Sequence, residues 1–218
     1  MSINTKENLV KQSDVEKSKE ILLNGELNIF KQKILSILPS KENEWIEILS
    51  RVWNDQRSPD YYFSLVDKNI KIEFDYHILR QVFDLYGLWK LNYDMIHINI
   101  NPATLTEENF TKKLYKIFQD YNFWDFHKLS FEILENGNVR WIDILNENID
   151  ILRTKWIQIG LDDYPNENNN NELLCLINEL DFVKIDKSFI LSLWHTNPEI
   201  VKNIIQKLIY DIHIFHPG

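Results

Sequence analysis

A single cysteine, Cys175, in 218 residues excludes an internal disulfide and any zinc site built from cysteines. It falls in the apolar helical run Leu173-Leu174-Cys175-Leu176, where an inert core position is expected. Glycine is also scarce. Five glycines are few for a fold with many tight strand–helix turns, and Asn, which tolerates left-handed backbone, fills those places. No apolar run reaches the roughly 18 residues of a membrane-spanning helix, and the opening MSINTKENLVKQ lacks the apolar segment of a signal peptide. A cytoplasmic protein with no membrane insertion is the expectation. Basic residues are outnumbered, 24 Lys and Arg against 33 Asp and Glu, for a net charge of −9. That balance excludes a general binder of nucleic-acid polymers, because their phosphates must be neutralised. One small phosphodiester held through metal ions remains compatible with it.

What is present suffices for one packed domain: 44% of the residues are hydrophobic and 13% aromatic. Residues 1–26 read as a helical or disordered lead, and residues 27–218 as a single domain. Phe30–Leu38 and Trp45–Val52 alternate apolar and polar residues across a polar turn, which predicts an initial pair of strands. Tyr61 to Leu91 carries apolar residues at helical spacing, with a break near Lys68-Asn69. Met95–Ile100 is a strand stopped by Asn101-Pro102, and Thr106 is placed to cap a helix running to about Tyr121. The alternation then repeats: strand Lys128–Leu134, helix Trp141–Arg153, strand Trp156–Leu161, helix Glu172–Leu180, strand Phe182–Ile185. A last helix opens at Asn197-Pro198. Strands alternating with helices predict a parallel sheet. Asn166 to Asn171 is a low-complexity polar loop.

Two segments carry the chemistry. Ile159-Gly160-Leu161-Asp162-Asp163 ends an apolar run on adjacent carboxylates, and Val183-Lys184-Ile185-Asp186 puts a lysine and an aspartate on one face of a strand. Apolar runs ending in charge, one helix apart, suit a (β/α) barrel, whose chemistry sits at the C-terminal ends of its strands. Taken singly, such residues are commonly solvated, and Lys184 could simply pair with Asp186 or Asp162. His97 reads as a core histidine.

Six segments, in order from Phe30 to the C-terminus, resemble the EAL domains that hydrolyse the bacterial second messenger cyclic di-GMP. They are Gln32-Lys33-Ile34, Glu47-Ile48-Leu49-Ser50-Arg51, Asn99-Ile100-Asn101-Pro102, Glu132-Ile133-Leu134-Glu135, Asp162-Asp163 and Lys184-Ile185-Asp186. The resemblance implies an α/β fold, a barrel of the triosephosphate isomerase type. The chain supplies about six of its roughly eight strands. It implies that Glu47, Asn99, Glu132 and Asp162 ligate one Mg²⁺ or Mn²⁺ through oxygen, as hard cations prefer. Asp162 would bridge to a second ion, with Asp163 as a further ligand. Lys184 would hold the attacking water, so that Glu47, Asp162 and Lys184 carry the catalysis. Arg51 would grip a ligand phosphate, alongside nucleotide contacts from Gln32, Leu49 and Asp186. Glu135 would anchor the loop after the acidic pair.

The chain also departs from that pattern. Where the family has Phe-Gly-Thr-Gly after the acidic pair, this sequence reads Tyr164-Pro165-Asn166-Glu167. The family's later Glu-Gly-Val-Glu motif and ligand-contacting Gln have no counterpart before Gly218. Three readings follow: a phosphodiesterase, a module that binds the nucleotide or a protein partner without turnover, and an incomplete barrel finished by a second copy or another chain. With the second ion poorly held, hydrolysis is expected to be slow or absent, and the edge strand Phe182–Ile185 is expected to favour dimerisation.

Overall fold

The computed structural model describes residues 14–23, 27–34, 44–52, 59–89, 93–134, 141–164, 171–193 and 197–215. Six strands form one sheet whose spatial order follows the chain, β1 to β6. They are β1 (Leu27–Ile34), β2 (Trp45–Val52), β3 (Met95–Ile100), β4 (Leu129–Ile133), β5 (Gln158–Tyr164) and β6 (Phe182–Ile185). Only the first pair is antiparallel; β2–β3, β4–β5 and β5–β6 are parallel. The expected opening pair and the α/β alternation are both found, as an incomplete barrel of the triosephosphate isomerase type.

The chain divides into two compact units, residues 1–98 with 113–124, and residues 99–112 with 125–218. The first contains α1 (residues 14–23), α2 (Pro59–Phe63) and α3 (Lys68–Trp89), with most of α5 (Phe110–Asp120). The break between α2 and α3 lies where the sequence placed it. Asp67 ends it by accepting hydrogen bonds from the backbone of Asn69 and Ile70 through Oδ1, the usual N-terminal cap of a helix. The core of this unit is aromatic: Phe83 meets Phe118 edge-on at 5.4 Å and Phe123 at 4.8 Å between ring centroids. Such pairs add about 0.5–1.5 kcal/mol each beyond the area they bury.

The second unit contains α4 (Pro102–Leu105), α6 (Ile142–Arg153), α7 (Asn171–Leu176), α8 (Lys187–Ser192) and α9 (Pro198–Phe215) with β4 to β6. Every residue of β4 is buried, as a parallel strand covered on both faces must be. Leu145, Ile149 and Leu152 line the buried stripe of α6 and are fully buried. Asn148, on the same helix, donates to the carbonyls of Leu105 (2.8 Å) and Glu107 (3.0 Å). It thereby satisfies backbone oxygens at the end of α4 and just after it.

Three sequence expectations are corrected here. Thr106 is the C-cap of the short helix α4, its N–H bonded to Pro102 and its hydroxyl to Ala103; the long helix begins only at Phe110. Helix α8 was not anticipated. Cys175 is exposed, because Leu173 and Leu174 of α7, with Ile177 just after it, turn inward and Cys175 falls off that stripe. Glu135, the polar stretch Pro165 to Asn170 and residues 35–38 lie outside the described residues.

A candidate metal and phosphodiester site

In the first unit, the pairing of β1 with β2 sets Gln32 directly across from Glu47, and the parallel pairing of β2 with β3 sets Glu47 beside His97. Side chains alternate along a strand, so Glu47, Leu49 and Arg51 share one face of β2, with Gln32 on that same side of β1. Glu47 and His97 are buried and Gln32 is exposed. The His97 ring stands 5.8 Å from that of Trp45, consistent with a core histidine. Arg51 is half-buried, and its guanidinium donates to the Ser50 carbonyl at 2.7 Å.

The second unit begins with Asn99, half-buried at the end of β3. Its decisive feature is a lysine held between two buried carboxylates. Lys184 Nζ, on β6, lies 2.8 Å from Glu132 Oε2 on β4 and 2.9 Å from Asp162 Oδ1 on β5. Glu132 is fully buried and Asp162 is 8% exposed, and their carboxylate oxygens come within 4.8 Å of each other. Burial pushes the Asp162 carboxyl up to about 7; Lys184 pulls it back down, while Glu132 and Asp163 add to the rise. Two carboxylates against one ammonium leave a net negative charge in a low-dielectric setting, which only a further cation or a proton can relieve. Hard oxygen donors this close suit a divalent cation.

Asp163 behaves differently from its neighbour. It is exposed, with a left-handed φ of 49°, and it lies in an irregularity where β5 advances from Leu161 to Tyr164 while β6 advances only from Val183 to Ile185. The bulge breaks the strand's alternation and re-aims the second acid. Asp186, expected on the Lys184 face of its strand, lies just beyond β6. Its Oδ1 accepts from the Ser188 hydroxyl and from the Phe189 N–H, capping α8. The Ser188 bond comes first in holding its carboxyl below the usual range. Of the two partners open to Lys184, Asp162 is the one it pairs with, together with Glu132.

The sequence profile of the EAL domain matches residues 16–209. The chain belongs to the EAL domain family. Among curated relatives it is 28% identical, over 71% of its own length, to "Cyclic di-GMP phosphodiesterase TpdA" of Vibrio parahaemolyticus, and it spans about a quarter (25%) of that protein. The EAL domain of FimX from Pseudomonas aeruginosa, solved bound to cyclic di-GMP, superimposes with a TM-score of 0.68 at 18% identity, covering 93% of this chain and 81% of that one. The Bacillus subtilis YkuI protein, solved with cyclic di-GMP as substrate and calcium, superimposes with a TM-score of 0.64 at 22% identity, covering 91% and 49%. At those identities the structures establish the EAL fold. No helix among the described residues is long and apolar enough to cross a membrane.

Proposed function

We propose that this EAL domain acts on cyclic di-GMP as a divalent-metal phosphodiesterase module. The bridging of Glu132 and Asp162 by Lys184 carries the reading, because a buried acidic pair with a lysine between its members is the chemistry that a divalent ion and a phosphoryl charge call for. Glu47, Asn99, Glu132 and Asp162 would hold a first Mg²⁺ or Mn²⁺, with Asp162 and Asp163 reaching towards a second. Such ions polarise the phosphoryl oxygens and lower the pKa of a bound water. The chain's own residues supply the rest. Arg51 offers a planar fork to a phosphate, flanked by Gln32 and Leu49 on the same face, and Asp186 would contact the nucleotide. Lys184 would offset negative charge building on the phosphodiester, a role worth about 10²–10³ in rate.

The test is conversion of cyclic di-GMP to its linear dinucleotide, followed by chromatography with Mn²⁺ or Mg²⁺ supplied. Hydrolysis is expected to be slow, and where it is measurable Glu132→Ala should abolish both it and Mn²⁺ binding. Intact nucleotide retained by the protein would instead support a second reading, a binding module without turnover. Replacement of the family's glycines by Pro165 and Glu167 favours that alternative. The setting would be cytoplasmic, where the dinucleotide is made.

The proposal extends to assembly. Strand β6 is last in the sheet order, and all four of its residues are only partly buried. Such an edge invites pairing with a second copy or a partner chain. Sedimentation at micromolar concentrations should show self-association; a monomer throughout would remove this part of the proposal.

A further inference from the structure

Phe182, the first residue of β6, is registered directly across from Gly160 of β5, and its ring lies against the bare Cα of that glycine. A Cβ at residue 160 would overlap the Phe182 ring at Cε2, Cζ and Cδ2. The start of β6 is clamped to the same strand by polar contacts. The Asp181 N–H donates to the Ile159 carbonyl at 2.8 Å, and the Ile159 N–H donates to Asp181 Oδ2 at 2.7 Å. Arg153 Nη2 stands 3.2 Å from Asp181 Oδ1, and Nη1 pairs with Glu179. Beyond this clamp β6 runs for four residues, too few for the ladder alone to define its register strongly. A slip of one residue moves each Cα by about 3.3 Å and turns every side chain to the opposite face. Lys184 could not then reach either carboxylate.

We propose that Gly160 is a positioning residue for Lys184. Its missing side chain admits the Phe182 ring, and the ring, together with the Asp181 clamp, holds β6 in the register that sets Lys184 on Glu132 and Asp162. The functional meaning of this rests on the reading of those three residues as the site; the register itself does not.

The experiment is amine-reactive labelling of the whole folded chain in a chelating buffer, with each lysine quantified by mass spectrometry. In Gly160→Ala the labelling of Lys184 should rise roughly tenfold relative to Lys155 and Lys187, the factor that ~1.4 kcal/mol of lost pairing corresponds to. General loosening would raise all three together. Adding Phe182→Ala makes room for the new methyl group and leaves the Asp181 clamp to hold β6, so the Lys184 rate should fall again, part of the way to its original value. Asp181→Asn, which weakens the clamp without adding bulk, should expose Lys184 selectively as well, and serves if Gly160→Ala does not fold. An unchanged Lys184 rate in a folded Gly160→Ala or Asp181→Asn protein overturns the proposal, as does failure of Phe182→Ala to lower the rate raised by Gly160→Ala. Mn²⁺ binding by the parent chain is measured separately. Its absence would sink the metal reading while leaving the labelling result, and this inference, standing.

Discussion

Replacing Lys184 with methionine is expected to destabilise the metal-free protein by about 3 kcal/mol, in the range for removing one partner of a buried ion pair. Methionine keeps the length and most of the apolar stem but not the charge. Glu132, fully buried, and Asp162 then face each other without the ammonium that stands 2.8 and 2.9 Å from them. The measurement is urea unfolding in the presence of a chelator. A loss below about 0.5 kcal/mol would place this pair with surface ion pairs, and the idea that it balances buried charge would fail. Saturating Mn²⁺ should recover more stability in the variant than in the parent, because the ion meets the same uncompensated oxygens and binds only the folded state.

The second large effect is a pH dependence assigned to Asp162. An acid whose folded pKa is raised keeps its proton in the folded state after the unfolded chain has released it. Folding is thus favoured by that group at low pH, and the advantage is lost as pH rises from the unfolded value of 3.8 through the folded value of about 7. At ~1.4 kcal/mol per pKa unit, the total is on the order of a few kcal/mol. The clean quantity is the stability of the parent minus that of Asp162→Asn, followed from pH 4 to 8 in chelator. This difference should fall with rising pH, steeply between pH 5 and 7, and level off above that. A difference that is flat across the range would show Asp162 ionised throughout. Divalent metal should suppress the slope, since it stabilises the carboxylate and removes the reason to hold a proton.

Legibility in the sequence tracked the locality of the signal. Met95–Ile100 was readable residue for residue because Asn101-Pro102 cannot continue a strand. Helix α8 was not, because Lys187 follows β6 after a single residue and the cap that starts it, Asp186, reads equally well as the end of a strand. Thr106 has the chemistry of an N-cap, but Pro102 opens a helix first and Thr106 closes it. Cys175 looked buried from its neighbours' hydropathy; only the direction of the Leu173, Leu174 and Ile177 stripe turned it outward. At the site, residue types at strand ends were visible through the family resemblance. The partnership of Lys184 with Glu132, 52 positions away, was not, since no local pattern distinguishes it from a pairing with Asp186. Nor was the outward turn of Asp163, which depends on the bulge between β5 and β6.

The sheet's order, in which every strand is paired with its neighbours in the chain, has a kinetic consequence. Each strand emerging from a ribosome, at roughly 5–20 residues per second, finds the strand it must join already made, so long-range loop closure is kept low. Glu132 and Asp162 lie on β4 and β5, which form before β6. Lys184 lies on the last strand of that order, so the ammonium joins two acids whose strands are already made.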